Sequence, residues 1–333
     1  MEKILLDPHF RRMDEIFTPA DLARLHAIAE VVWGRDTPMP LEEVAAASRD
    51  VIAVVCASWR YGPLEPFARL RAILEVSGRF PDLDTLDYAI CFQRGIRVLS
   101  CAPSFCPAVA EMALAMALAA SRDVAAGDAA IRAGSEQYYS AGNTNTFLLY
   151  DQPVGFIGFG GLARALKPLL APFRCPIQVY DPWLTEGYLR TQGVTSVALE
   201  TLLATSKVIF VLAVPSQENR ALLDRERLSL IPRGAVLVLI SRAHLVDFEA
   251  LTEMVTEGRF KAAIDVFPTE PLLPDHPIRK APNTVLSAHR AGGDADGYRF
   301  IGRMVVDDLE AIVAGLPPQQ MQVAQPELIR RRG

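Results

Sequence analysis

The run Val154-Gly155-Phe156-Ile157-Gly158-Phe159-Gly160-Gly161-Leu162-Ala163 is an apolar strand that enters a glycine loop and leaves it as a helix. Gly158, Gly160 and Ala163 form a GxGxxA pattern. Gly158 permits the tight turn, Gly160 lets backbone approach a pyrophosphate, and Ala163 keeps helix and strand close. Gly161 and Leu162 begin the helix whose N-terminus would face the phosphate charge. Alone, the motif also fits a tight turn in an unrelated fold. Its context argues for a dinucleotide. A second strand, Ile177–Tyr180, ends at Asp181, about 20 residues on, where an acid grips ribose hydroxyls. Pro182 and Trp183 follow Asp181 instead of a basic residue, which favours NAD over NADP. Three more polar residues follow strand ends: Arg242 after Ala235–Ser241, Glu270 in Asp265-Val266-Phe267-Pro268-Thr269-Glu270-Pro271, and His289 in Leu286-Ser287-Ala288-His289-Arg290. Ligands in open parallel sheets bind outside the strand carboxyl ends, so the three are candidates to share one crevice. Taken singly, each also fits a solvated or capping residue.

Such residues need a scaffold of strands and crossovers. In the first half, Ile4–Leu6, Val51–Ala57, Ala72–Val76 and Ile96–Leu99 read as strands. Pro19–Glu30 and Asp84–Arg94 read as helices between them, and a long apolar helix runs from about Pro107 to Arg122. A polar connector follows, Gly127 to Gln152. The second half restarts with Val154–Phe159, Ile177–Tyr180, Val208–Val214, Ala235–Ile240, Ala262–Val266 and Thr284–Ser287. Strands alternating with helices predict α/β architecture with parallel sheets. Six strands with crossovers make a doubly wound sheet. Asp296 to Ala314 reads as one more helix, and Pro317-Pro318 and Arg330-Arg331-Arg332 as a solvated end.

The 333 residues suggest two domains. Half the residues are hydrophobic, which excludes disorder for most of the length. A net charge of −5 argues against a nucleic-acid partner. Met1 to Phe10 lacks the apolar core of a targeting segment, and Ala113 to Ala120, the longest apolar helical stretch, reads as too short to span a bilayer. No membrane partner and a cytoplasmic location are therefore expected. The five cysteines are odd in number and form no CxxC pair, so neither a disulfide framework nor a metal site is suggested.

From about Arg94 to Gly315 the sequence resembles the D-2-hydroxyacid dehydrogenase family, which includes phosphoglycerate, glycerate and D-lactate dehydrogenases. The matching segments are the Gly158 loop, Val179-Tyr180-Asp181-Pro182, Ser241-Arg242, Leu245-Val246-Asp247, the DVFPTEP run and the His289 segment. The resemblance implies two Rossmann-like domains with doubly wound parallel sheets. A flavodoxin-like split substrate domain would cover 1–106 and 297–333, with an NAD-binding domain inserted at 107–296. It implies a homodimer and a small 2-hydroxy or 2-keto acid as substrate. It also implies that Arg242, Glu270 and His289 are catalytic. Histidine can take the hydroxyl proton or return it near neutral pH. A carboxylate such as Glu270 orients the ring, and a guanidinium such as Arg242 grips the substrate carboxylate. By the same resemblance Pro215, Ser241, Asp265 and Gly292 contact the cofactor, Asp265 at the nicotinamide carboxamide. His244 is a rival to the trio, though its position suggests surface.

The first domain departs from the family. Where a glycine-rich loop usually holds the substrate carboxylate through its amides, this chain has Glu75-Val76-Ser77-Gly78-Arg79-Phe80-Pro81-Asp82. Gly78 is retained; Arg79 and Phe80 are unusual. The loop after Val51–Ala57 carries Trp59 and Arg60. Trp59, Arg60 and Arg79 are expected to set the distal end of the substrate, with a second anionic group or several hydroxyls in view. Two other functions fit the same residues. One is an NAD(H)-sensing scaffold like the co-repressors of this fold; the other is oxidation of an oxyanion such as phosphite.

Overall fold

The computed structural model describes residues 1–330. Two arginines of the Arg330-Arg331-Arg332 run thus lie outside the described residues. The chain divides into two compact units: Met1–Cys106 with Gly293–Gly333, and Pro107–Gly292. Each is an α/β layer structure.

The first unit begins with β1 (Glu2–Asp7), whose Ile4, Leu5 and Leu6 are wholly buried. Burial on both faces is what makes such strands read as unbroken apolar runs. β2 (Ala29–Trp33) and β3 (Val51–Cys56) flank β1, both parallel to it. β4 (Ala72–Glu75) and β5 (Arg97–Ser100) continue the sheet beyond β3. The expected helix over 19–30 is shorter. It spans Pro19–Ile28, capped where Thr18 Oγ1 accepts the Asp21 N–H and Asp21 accepts the Thr18 N–H. Glu30 belongs to β2, which the helical reading missed. There Val31 and Val32 pair with Ile4 and Leu5, and sheet pairing overrides local pattern. The helix expected over 84–94 starts only at Tyr88, because Asp87 caps it.

In the second unit, the long apolar helix is Cys106–Ser121. Here the sequence reading needs correcting. With the preceding turn, Ala102–Ser121 is a continuous helical run of 20 residues with mean hydropathy 1.5, enough by length and composition to cross a membrane. Pro103 and Pro107 interrupt the apolar run in sequence but not the helix, since proline is tolerated in a first turn. Ala110, Ala113, Met116, Ala117 and Ala120 pack in this unit's core with Phe156, Leu166 and Val236, so the run is a partly buried core helix. The connector is not all loop either: Val124–Ala133 is helical and ends at Gly134.

The sheet follows, with β6 (Val154–Ile157), β7 (Ile177–Tyr180), β8 (Thr195–Ser196), β9 (Val208–Val211), β10 (Val236–Leu239), β11 (Lys261–Ile264) and β12 (Thr284–Leu286). All pairs are parallel, in the order β12-β11-β10-β9-β6-β7-β8. Seven strands stand where six were expected. The extra β8 has two residues, too few to show a period.

The chain then re-enters the first unit through helix Ala295–Val313 and adds β13 (Gln322–Val323), antiparallel to β5. Asp308, fully buried on that helix, accepts the N–H groups of Gln319, Gln320 and Met321 and so sets the approach to β13. The completed order is β13-β5-β4-β3-β1-β2. In each sheet the strand order reverses once, beside β1 in the first unit and beside β6 in the second. Ligand crevices in open α/β sheets lie at such reversals.

Candidate active site

The glycine loop leaves β6 at Gly158, whose φ is +92°. A Cβ there would sit 2.7 Å from the Ala213 Cα, so the close approach of the chain after β9 also demands glycine. Gly160 precedes the helix Gly161–Leu170, which no side chain caps. Nothing lies within 4 Å of where its Cβ would be, which leaves room for a pyrophosphate against backbone. The first helical amides, from Gly161 and Leu162, have no intrahelical acceptor. Asp181 follows β7 and reaches the same loop. Its Oδ2 accepts the Phe159 N–H at 2.8 Å and its Oδ1 the Trp183 N–H at 3.0 Å.

Three serines follow strands of this unit: Ser216 after β9, Ser241 after β10 and Ser287 after β12. Their hydroxyls are buried without a hydrogen-bond partner. Orphaned hydroxyls that follow the carboxyl ends of these strands fit a polar cofactor that supplies the missing partners. The chain around Pro215, itself exposed, is braced by Asn219. That side chain accepts the Ser216 N–H at 2.8 Å and donates to the Val214 carbonyl at 2.8 Å. His244 Nε2 lies 2.9 Å from the Ser216 carbonyl, so this histidine is half-buried and supports the same segment.

The three polar residues after the strands come together in the second unit. His289 Nδ1 is 2.6 Å from Glu270 Oε2, and Glu270 Oε1 accepts the Phe267 N–H at 2.9 Å. Burial pushes the Glu270 carboxyl up. The hydrogen bonds from His289 and Phe267, with the charges of His289 and Arg242, outweigh it and hold the carboxyl below its usual value. Arg242 is exposed, with Nη1 donating to the Ser241 carbonyl at 2.7 Å.

His289 has φ +52°, the left-handed region. Asp265 holds it there. The Asp265 carbonyl accepts the His289 N–H at 2.7 Å, and its carboxylate accepts the N–H groups of Arg290 (3.0 Å) and Ala291 (3.1 Å). Asp265 is fully buried. Gly292 closes the turn and the unit.

The residues expected at the distal end of the substrate have partners within the first unit or face solvent. Trp59 is 2% exposed, packs on Tyr61 and Phe67, and donates its indole N–H to the Gly62 carbonyl. It is a core residue. Arg60 is bound to the buried Asp7 carboxylate and the Met39 carbonyl, both at 2.6 Å. Arg79 is exposed. The amides of Ser77, Gly78 and Arg79 turn onto the Glu75 carboxylate at 2.7, 3.1 and 3.0 Å. Asp7 and Glu75 escaped the sequence reading. The available signal was an acid closing an apolar strand, where a charge must be buried and must find partners.

The sequence model described as D-isomer specific 2-hydroxyacid dehydrogenase, NAD binding domain, matches residues 114–291, within the second unit. D-3-phosphoglycerate dehydrogenase of Mycobacterium bovis is 29% identical over 300 residues, covering 89% of this chain and 55% of that protein. This chain thus spans about half the length of that relative. Glyoxylate reductase of Korarchaeum cryptofilum is 31% identical over 292 residues, 86% of this chain and 87% of the other. Among solved structures, a phosphoglycerate oxidoreductase from Rhizobium etli is 35% identical, covers 98% of this chain and 99% of its own, and has a TM-score of 0.87.

Proposed function

Because the chain belongs to the D-isomer specific 2-hydroxyacid dehydrogenase family, an oxidoreductase family with an NAD-binding domain, we propose that it interconverts a D-2-hydroxy acid and its 2-keto acid with NAD. The observation that carries this reading is the 2.6 Å bond between His289 Nδ1 and Glu270 Oε2. It fixes the proton on Nδ1 and turns Nε2 to the reaction. His289 Nε2 takes the hydroxyl proton in oxidation and returns it in reduction. Glu270 orients the ring and favours its charged form. Arg242 grips the substrate carboxylate and polarises the carbonyl. A dinucleotide held there would supply the hydride exchange at C2 of the substrate.

Gly158, Gly160, Gly161 and Leu162 would hold the pyrophosphate, and Asp181 the ribose hydroxyls. Asp181 is the basis for NAD over NADP, since it would repel a 2′-phosphate. Ser241, Pro215, Asp265 and Gly292 complete the proposed cofactor contacts. The proposed partner is a second copy of this chain. Exposed Val124, Ile131, Tyr138 and Tyr139, in and after the helix Val124–Ala133, offer apolar surface for that copy to cover, and light scattering tests the dimer.

The deciding experiment follows NADH and NADPH consumption with a panel of 2-keto acids, from glyoxylate and hydroxypyruvate to dicarboxylic and phosphorylated acids. Wild type is compared with His289→Ala. Turnover that prefers NADH and falls about a hundredfold or more in the variant supports the reading. Tight NADH binding without turnover of any acid would move the chain to the scaffold function.

A further inference from the structure

The reaction above gives no part to His244, which follows Arg242 by two residues. Its ring is half-buried, and Nε2 lies 2.9 Å from the Ser216 carbonyl oxygen. A carbonyl only accepts, so Nε2 carries the proton and donates it. The backbone of the same residue makes a second bond to the same segment, since the His244 carbonyl accepts the Ala221 N–H at 2.9 Å. Ala221 has φ +48°, and a non-glycine residue in that region is held there by its partners. Beyond it the Leu223 N–H donates to the Leu245 carbonyl at 2.9 Å, and the Asp247 N–H to the Leu223 carbonyl at 3.0 Å. The segments 216–223 and 244–247 are thus laced together inside the second unit.

What stands at each end of this lacing gives it a use. At one end is Ser216, whose hydroxyl is buried without a partner and whose N–H donates to the Asn219 side chain. At the other end Arg242 precedes the helical turn Ala243–Leu245, which the Val246 N–H closes on the Ala243 carbonyl at 3.0 Å. A dinucleotide that supplied the missing partner of the Ser216 hydroxyl would fix the very residue whose carbonyl the His244 ring holds. An imidazole is planar and turns about only two side-chain bonds, so a shift of Ser216 is carried to the Arg242 turn instead of being absorbed. Bonds between backbone groups alone would be enough to fold the segment; the ring bond adds a link between the two ends.

We propose that His244 is a positioning residue for Arg242, and that its ring bond to Ser216 makes the setting of the Arg242 turn depend on occupation of the dinucleotide site. This rests on the dinucleotide part of the reading above. Amide hydrogen exchange tests it in wild type, His244→Leu and His244→Gln, each with and without saturating NADH. In wild type, NADH should slow exchange about five- to tenfold in 242–247 as well as in 214–221, the worth of about one hydrogen bond. Leucine fills the space without a donor, so in that variant NADH should still slow 214–221 but slow 242–247 by less than about twofold. Glutamine can place its amide nitrogen where Nε2 stands and should restore the effect. Loss of packing alone would speed exchange equally with and without NADH. Protection of 242–247 by NADH that is equal in wild type and His244→Leu, or absent from wild type, overturns the proposal.

Steady-state kinetics with the 2-keto acid of the panel that is turned over best adds a second arm. In His244→Leu its KM should rise about five- to tenfold with kcat changed less, because a displaced Arg242 grips the carboxylate poorly. His244→Gln should stay near wild type. A fall in kcat with KM unchanged overturns the proposal. Failure of the dehydrogenase reading would look different: no acid would be turned over, yet NADH would still protect 242–247 in wild type and not in His244→Leu. That outcome would keep His244 as the same link in a dinucleotide sensor.

Discussion

Glu75 ends β4 inside the protein, 1% exposed, with three amides on its carboxylate. Burial pushes its pKa up to about 7, and the Ser77 contacts and the Arg79 and Gly78 amides pull only partly against it. Folded Glu75 thus binds a proton more tightly than an unfolded glutamate. Its contribution to stability is complete below the unfolded value of 4.5 and is lost as pH rises through about 7. Denaturation midpoints of wild type and Glu75→Gln at pH 5 and pH 8 check this. Wild type should lose up to roughly 3 kcal/mol more than the variant across that interval. Parallel behaviour of the two would show that the amides, not burial, dominate. A similar contrast of partners explains Trp59 and Arg60. Both follow β3 at the carboxyl end of a sheet, where sequence alone suggests ligand contact. Trp59 instead fills apolar space, and Arg60 neutralises Asp7.

At the scale of the element, the turn after β12 and the loop after β6 each depend on one residue. Asp265 holds three successive amides of the His289 turn, and a non-glycine residue at φ +52° is held only by such partners. Asp265→Asn leaves one amide facing an NH2 group. We expect kcat to fall about tenfold or more, with little change in KM, because the imidazole is misplaced. A change confined to the KM for NADH would instead assign Asp265 only to the cofactor. In the other loop, Gly158→Ala would drive a methyl group to within 2.7 Å of the Ala213 backbone. The expected cost is about 2 kcal/mol or more, read from denaturant unfolding, with weakened dinucleotide binding. Unchanged stability would mean that the chain after β9 yields easily.

At the scale of the whole molecule, the second unit is tied together by a lysine. Lys261, 2% exposed at the start of β11, donates to the Ala120 carbonyl at 3.3 Å, to the Asn145 carbonyl and to Asp123. It joins the sheet to the end of the long helix and to the connector. Lys261→Met leaves Asp123 and two carbonyls without their donor. The expected loss is about 1–3 kcal/mol, measured by chemical denaturation, because the two carbonyls lose their donor while Asp123, a third exposed, turns to water. A loss below about 1 kcal/mol would show that water replaces the ammonium.

The sequence by itself determined the α/β class, the central strands and the glycine loop. These are local: buried parallel strands are apolar runs, and a tight turn onto a helix needs glycine at fixed spacing. It also marked Arg242, Glu270 and His289, since each follows a strand. The tertiary structure decided the rest. β2, β8 and β13 exist through pairing with β1, β7 and β5 rather than through their own pattern. The bond between His289 and Glu270 and the burial of the orphaned serine hydroxyls depend on segments brought together by packing. The same holds for Arg11, whose guanidinium meets Phe105 and Tyr298 from distant parts of the chain as well as its neighbour Phe10. A side chain's partner across the fold, not its neighbours in sequence, determines whether a charge is structural or available to a ligand.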